Sequence, residues 1–279
     1  MTQLEFAALA WSGSLAAGFL GALAGLGGGV VIVPMLVLGL HVDVHYAIGA
    51  SLISVIGTSA GAQAAQGKES FSNTRIGLFL EIATTLGAIC GAFLSTRTPT
   101  RWIAILFGSV LLYSASCSFR SKQQDAPNPT RDALATKLRL TGDYLHEGRR
   151  IPYSARRVSL GFGLMLGAGT LSGLLGIGSG AVKVLAMDEA MQLPFKVSTA
   201  TSNFMIGVTA AASAGVYLSR GYINPAVAMP VTIGVLLGSL LGARFLTKAK
   251  VESLRVVFAL VIALLGAEMI FNGLTGRLS

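Results

Sequence analysis

The chain has 279 residues, of which 53% are hydrophobic and only 12% charged, with 35 glycines and a mean hydropathy of +0.69. So large an apolar share cannot be hidden in one water-soluble core, which excludes an ordinary soluble enzyme or binding domain and makes lipid the solvent for much of the chain. The formal charge of +9 does not indicate a nucleic-acid partner: nine of the 21 Lys and Arg residues lie between Arg120 and Arg157, beside Asp125, Asp132, Asp143 and Glu147, with few aromatics to stack on bases.

In chain order, the first apolar stretch, about 4–40, is interrupted by Gly25-Leu26-Gly27-Gly28-Gly29 and closed by Pro34, so neither arm comfortably spans a bilayer alone. Uninterrupted spans are predicted at 47–66, 76–96 and 102–119. A basic, soluble-looking linker fills 121–156, and Leu134, Leu138, Thr141 and Leu145 predict a short helix there, lying on anionic headgroups. The apolar stretch 158–187 is interrupted again, at Gly176-Ile177-Gly178-Ser179-Gly180, and three further spans are predicted at 197–219, 224–246 and 251–272.

Sliding the chain by 151 positions lays Gly25, Gly27 and Gly29 on Gly176, Gly178 and Gly180, Val31 and Val33 on Val182 and Val184, Ser51 on Ser202, and Thr58 on Thr209. This is an internal duplication. It divides the chain into a first membrane repeat (1–120), the linker (121–156) and a second membrane repeat (157–279). The expected fold class is therefore all-α: a polytopic helical membrane protein of two inverted repeats, each a glycine-broken helix followed by three transmembrane helices. If the broken elements dip in and return, 15 flanking Lys and Arg residues fall on the linker side and four, Arg97, Arg101, Arg220 and Arg277, on the other. If they cross, the split is 13 against six, so the re-entrant arrangement obeys the positive-inside rule better. It also gives each repeat an odd number of crossings. The linker is then cytoplasmic and both termini face away from the cytoplasm; with Lys68 the first basic residue and Glu5 ahead of the first apolar run, no secretory leader of the usual form is expected.

Breaking a helix inside hydrocarbon frees backbone groups that only protein, water or a ligand can satisfy. Val30 and Ala181 open the second arms, where unpaired amides and the positive end of the helix dipole favour an anion, while small-residue packing is the competing explanation. Lys183, three residues past Gly180, matches Ile32 of the first half; a lysine there should meet a counter-charge, water or substrate. The following spans carry a polar stripe, Ser51, Ser54 and Thr58 in one half and Ser202 and Thr209 in the other, with Thr201, Asn203 and Gln63 nearby, able to donate to an oxyanion or to bond neighbouring helices. Glu81 and Glu268 are acids in otherwise apolar spans and candidates for proton coupling; Asp188 and Glu189 mark the exit of the second broken element, and Arg244 reads as an interfacial anchor.

Ile177-Gly178-Ser179-Gly180 is similar to the serine turn of rhomboid proteases, but His41, His45 and His146 lie outside any later span, leaving no base for Ser179; no enzyme is expected. No cofactor is expected, and no metal, because His, Cys and carboxylates do not cluster at ligand spacing and Cys90 and Cys117 sit apart in apolar segments.

Gly25-Leu-Gly-Gly-Gly29 with Pro34, then Ala47-Ile-Gly-Ala-Ser51-Leu52, and the echo Gly176-Ile-Gly-Ser-Gly180, then Ser198-Thr-Ala-Thr-Ser202-Asn203, resemble the TauE/SafE family of sulfite exporter-like membrane proteins. The resemblance covers both halves and implies a bacterial inner-membrane permease for sulfite, sulfonates or related organic acids, usually moving them outward. Residue by residue it points to Gly27, Gly28, Gly29, Gly178, Gly180, Ser51, Ser202 and Asn203; this chain departs from the pattern at Ser179, Lys183 and Leu185. From the residues and the resemblance together, the expected substrate site comprises Gly27, Gly28, Gly29, Val30, Ser51, Thr58, Gly178, Ser179, Gly180, Ala181, Lys183, Ser202, Asn203 and Thr209. The expected partners are a small anion and the lipid bilayer, with no nucleic acid; oligomeric state is not legible. A passive anion channel, or a membrane module that docks a partner on the linker, are the alternatives.

Overall fold

A computed structural model describes residues 2–24, 28–66, 73–118, 132–146, 149–246 and 251–276. The first half comprises α1 (Gln3–Ala24), α2 (Gly29–Pro34), α3 (Val44–Gln66), α4 (Thr74–Ser95) and α5 (Thr100–Ser118). The linker contributes α6 (Ala133–Lys137) and strands β1 (Thr141–His146) and β2 (Arg149–Ser154). The second half comprises α7 (Val158–Leu175), α8 (Gly180–Leu185), α9 (Phe195–Ser219), α10 (Pro225–Leu246) and α11 (Val251–Thr275). The 151-residue offset carries α2 onto α8 and α4 onto α10 end for end. Both short helices run on into π-helical turns, Met35–Gly39 and Ala186–Ala190, which coincide under the same offset.

The two halves pack around a pseudo-twofold relation. Helix α1 lies along α10 as α7 lies along α4, while α3 packs on its counterpart α9 and α5 on its counterpart α11. Glycine lets the α1/α10 and α4/α7 backbones touch: a Cβ on Gly18 would lie 2.4 Å from the Val235 carbonyl oxygen, and one on Gly169 would lie 2.1 Å from that of Thr84. These contacts, too, are related by 151 residues. Gly87 meets Leu166 and Gly91 meets Thr170, so α4 and α7 run parallel; Gly234 meets Trp11 and Gly238 meets Leu15, so α1 and α10 do the same. By contrast Ser59 bonds the Asn203 carbonyl while Gly49 meets Tyr222, and Gly108 meets Gly266 while Gly273 meets Arg101, so α3/α9 and α5/α11 are antiparallel.

At each break the chain turns back along the helix it has just left. Gly28 lies beside Gly18 and Met35 beside Gly13, and Met191 lies beside Gly161. In the second half the turn is made by Gly176 and Gly178, with φ of 69° and 70°, a left-handed conformation that suits glycine; the Gly176 amide caps α7 on the Ser172 carbonyl.

Among the described residues, Gln3–Gly21, Thr74–Ser95, Val158–Leu175 and Pro225–Gly242 are long and apolar enough to cross a bilayer, which corrects the expectation that neither arm of a broken element spans alone: the helix runs nearly to the glycines, so each first arm is of spanning length. Their outward faces are greasy: Leu78, Ile82, Leu86 and Phe93 on α4, and Met229, Ile233, Leu237 and Leu241 on α10, are all exposed. A belt of that kind is compatible with lipid and not with water.

The linker departs from expectation. The helix predicted from Leu134 to Leu145 is only the single turn of α6; Arg139, with φ of 51°, ends it, and Thr141-Gly142, poor helix formers, open β1 of an antiparallel hairpin with β2. Four residues at a spacing of three to four are too short a pattern to separate a helix from a strand. Leu134 and Leu138 are exposed, while Ala135, Leu140 and Tyr153 join Ile76, Leu80 and Val158 in a buried cluster. Asn73 ties this unit to the bundle: its side chain caps α4 through the Ile76 amide (3.2 Å) and donates to the Tyr153 hydroxyl (2.9 Å), and its own amide donates to Thr201 Oγ1 (3.1 Å).

Asn73→Ala removes both a helix cap and the hairpin anchor, and is expected to lower stability by about 1–2 kcal/mol. Thermal unfolding in detergent measures the loss, and faster proteolysis of the 121–156 linker shows that the hairpin has come free.

Candidate functional site

The breaks meet at the centre of the bundle. A Cβ on Gly29 would lie 3.0 Å from Ser51 Oγ and 3.3 Å from the Gly176 carbonyl oxygen, and one on Gly178 would touch Val55 and Ile206. Ser51 on α3 donates to that Gly176 carbonyl at 2.8 Å, so a hydroxyl of one half closes on the break of the other. Ser202 on α9 donates to the Gly180 carbonyl at 3.2 Å. Thr58 and Ser54 bond back to Val55 and Ser51, one turn earlier on their own helix. Apart from Thr209, the polar stripe therefore satisfies backbone carbonyls in this conformation.

Sequence reasoning did not bring Glu81, Lys183 and Thr209 together; the fold does. They come from three elements, α4, α8 and α9. Lys183 is fully buried (0% exposed) and Glu81 nearly so (5%). Lys183 Nζ donates to Thr209 Oγ1 at 2.5 Å, and Thr209 Oγ1 stands 2.7 Å from Glu81 Oε1 and 2.9 Å from the Met205 carbonyl oxygen. Thr85 also donates to Glu81 Oε1, at 3.2 Å, whereas Glu81 Oε2 is buried with no hydrogen-bond partner. The sequence carried half of the signal: a lysine in an apolar element needs an acid, and Glu81 and Glu268 were the two embedded candidates.

The remaining candidates fall in several places. Gly28, Gly29 and Val30 are buried at the start of α2, and Gly27 lies outside the described residues. Gly180 and Ala181 open α8. Ser179, just before it, is 2% exposed, sits at φ of 45°, and its Oγ has no hydrogen-bond partner. With Val30, Ile177, Gly180 and Ser114 it lines a small, mainly apolar cavity between the two second arms and α5; Lys183 does not line that cavity. Asn203 offers its carbonyl to Ser59, and Thr201 accepts from Asn73. Glu268 is exposed on the outer face of α11, away from the buried triad; Glu189 is exposed in the second π-helical turn beside Asp188. The side chains of Gln63 and Arg244 lie outside the description. Among the described residues, no group of three His, Cys, Asp or Glu side chains could hold a metal ion.

Residues 10–269 match the profile of the family described as Sulfite exporter TauE/SafE. The chain is 31% identical over 268 residues, covering 93% of it and 96% of the relative, to the Probable membrane transporter protein YunE of Bacillus subtilis. It is 25% identical over 259 residues to the Probable membrane transporter protein YdhB of the same organism, covering 91% and 94% of the two chains. It is also 25% identical over 270 residues to the Probable membrane transporter protein MJ0441 of Methanocaldococcus jannaschii, covering 91% of each. No solved structure matches the chain.

Thr58 and Thr209 are repeat equivalents, but only Thr209 joins two buried ionisable groups. Thr209→Val is expected to lower stability by about 1–3 kcal/mol by stripping Glu81 and Lys183 of their shared partner. Thr58→Val, which removes only a bond within one helical turn, should stay within about 0.5 kcal/mol of the parent. Paired unfolding curves in one detergent give the comparison.

Proposed function

We propose that this chain, which belongs to the Sulfite exporter TauE/SafE family, is a secondary transporter that moves small oxyanions, sulfite, sulfonates or related organic acids, outward across a bacterial inner membrane. It is a multi-pass membrane protein of a transporter family. The specific reading is supported above all by one observation: the fully buried Lys183 stands three residues past a glycine break, where the two halves meet.

A buried ammonium group attracts an anion far more strongly than one in water, because the surrounding dielectric is low. The hydroxyls of Ser51, Ser179, Ser202 and Thr209 and the amides opening α2 and α8 at Val30 and Ala181 are donors without fixed charge. They can shape a site for the oxygen atoms of the substrate. Ser51 and Ser202 exchange their carbonyl partners for substrate as the centre opens.

Two inverted repeats give a means of movement. The antiparallel pairing of α3 with α9 and of α5 with α11 supports an axis in the membrane plane, and the return of each broken element along its own first arm supports re-entrant hairpins. Because each glycine seam ties a helix of one repeat to a helix of the other, the moving bodies are the α4/α7 pair and the α1/α10 pair, whose rocking exposes the centre to each side in turn, with the linker in the cytoplasm and both termini outside.

Purified protein in liposomes should carry sulfite with saturable kinetics that respond to an imposed pH gradient; linear flux indifferent to the gradient would identify a channel instead. Lys183→Gln should weaken apparent affinity at least tenfold, about 1.4 kcal/mol. Val42→Cys and Gln192→Cys, made in a background lacking Cys90 and Cys117, test the topology: re-entrant hairpins label position 42 from outside and position 192 from inside, and the reverse pattern at either position rejects them.

A further inference from the structure

We propose that Lys183 and Thr209 form the charged half of the anion site, that Glu81 occupies it when the substrate is absent, and that Glu81 gives it up by taking a proton, so that one monovalent oxyanion and one proton travel together. This rests on the transporter reading above and adds the identity of the coupling group, the substrate's charge and the stoichiometry.

The geometry supplies the two states. With Glu81 ionised, the single Thr209 proton is directed at Oε1, while Lys183 donates to the Thr209 oxygen. With Glu81 protonated, that hydroxyl is released to donate to the anion, and the Met205 carbonyl at 2.9 Å is its acceptor while no anion is bound. The proton has a place to reside: Oε1 accepts from both Thr209 and Thr85, whereas Oε2 is buried and has no partner. A carboxylate oxygen in that position is the least stabilised in the cluster and the natural one to protonate.

Charge accounting then couples the two ligands. On the elements packed around Glu81, α7 carries no ionisable residue, α8 carries Lys183 alone, and α9 carries only Lys196 in its first turn and Tyr217 near its end. On α4 itself Arg75 is exposed six residues earlier, and Asp188 and Glu189 follow α8 in the next turn. Around Thr209, then, one positive and one negative side chain balance. Lys183 with ionised Glu81 is neutral, and so is Lys183 with a bound monoanion and protonated Glu81. A bound anion beside ionised Glu81, or Lys183 facing neither, leaves a net charge in the protein interior and is strongly disfavoured. A dianion violates the same balance even when Glu81 is protonated, so the site selects monovalent anions.

The repeat fixes the stoichiometry. Counterparts of Lys183, Thr209 and Glu81 lie 151 residues away at Ile32, Thr58 and Thr232; Thr58 is spent on its own helix and Thr232 carries no charge. Only one of the two equivalent places can hold an ion, which gives one anion and one proton per chain. Because proton and anion bind together, net movement follows the sum of their gradients, and export proceeds when the outward anion gradient exceeds the inward proton gradient.

The test uses the full chain in liposomes and in detergent, with methanesulfonate, an oxyanion that stays monovalent across the working pH range, and with sulfate as the dianion. In weakly buffered detergent solution, wild-type protein should take up close to one proton per methanesulfonate bound, and its affinity should fall about tenfold per pH unit on the alkaline side. Sulfate should bind at least tenfold more weakly. Glu81→Gln, an uncharged mimic of the protonated acid, should bind methanesulfonate independently of pH, at least tenfold more tightly than wild type at alkaline pH, and move it without protons. Proton uptake that persists in Glu81→Gln, a wild-type affinity indifferent to pH, or equal affinity for sulfate each overturns the proposal. Saturable sulfite flux without methanesulfonate binding overturns it while leaving the transporter standing; absence of flux for all three anions removes the transporter reading itself.

Discussion

A lysine side chain with no exposed surface, in a chain whose solvent is largely lipid, must be neutralised from within the protein. Losing water costs an ammonium group several kcal/mol after every relaxation of its surroundings. Here the compensation comes through Thr209 to Glu81, so α8 and α9 of the second half are held to α4 of the first by one polar cluster. The break before α8 belongs to the scaffold of both halves; in the second half, the turn at Gly176 and Gly178 brings Lys183 to an acid and a hydroxyl.

The duplication clarifies what is structural and what is particular. Features shared by both halves, the glycine seams of α1/α10 and α4/α7, the short second arms and their π-helical turns, recur at a constant offset and build the scaffold. Features present once stand out against that background. Lys183 answers to Ile32, Glu81 to Thr232, and Ser179, in a left-handed conformation, to Gly28 at φ of −68°. A non-glycine residue in that conformation costs about 1–2 kcal/mol. The scaffold is thus symmetric at the backbone and asymmetric in its buried charged side chains.

Much of this was legible in the sequence because hydropathy and glycine placement are local signals. The six uninterrupted spans fall within a few residues of α3, α4, α5, α9, α10 and α11, since each needs about twenty apolar residues and little else. The two breaks are visible because three glycines in an apolar run have few other uses. What stayed hidden is of two kinds. The linker's hairpin depends on Asn73 and on burial of Leu140 and Tyr153 against α4 and α7, which no local spacing reveals. The triad depends on tertiary packing: Glu81 and Thr209 are 128 residues apart, and nothing local distinguishes Glu81 from Glu268, which faces outward on α11. Hydroxyl spacing put Ser51 with Thr58 and Ser202 with Thr209 on one helical face each, but a hydroxyl serves equally as a donor to substrate or to a carbonyl, and only the fold shows which partner it has taken.

That division of partners bears on how a sealed centre can open. The seams between α4 and α7 and between α1 and α10 are backbone against backbone, where glycine admits no gap, and they behave as rigid pairs. Between α3 and α9, by contrast, contact is made partly by single hydroxyl bonds, Ser59 to Asn203 and, at the break, Ser51 to Gly176. Each such bond contributes only about 1 kcal/mol, and inside a membrane often less. Each seam joins a helix of one half to a helix of the other, with α3 packed beside α10 and α9 beside α4, so a motion of the α4/α7/α9 group against the α1/α10/α3 group breaks both hydroxyl bonds and leaves the seams intact. The contact that is cheapest to break is therefore the one between α3 and α9, which runs past the breaks.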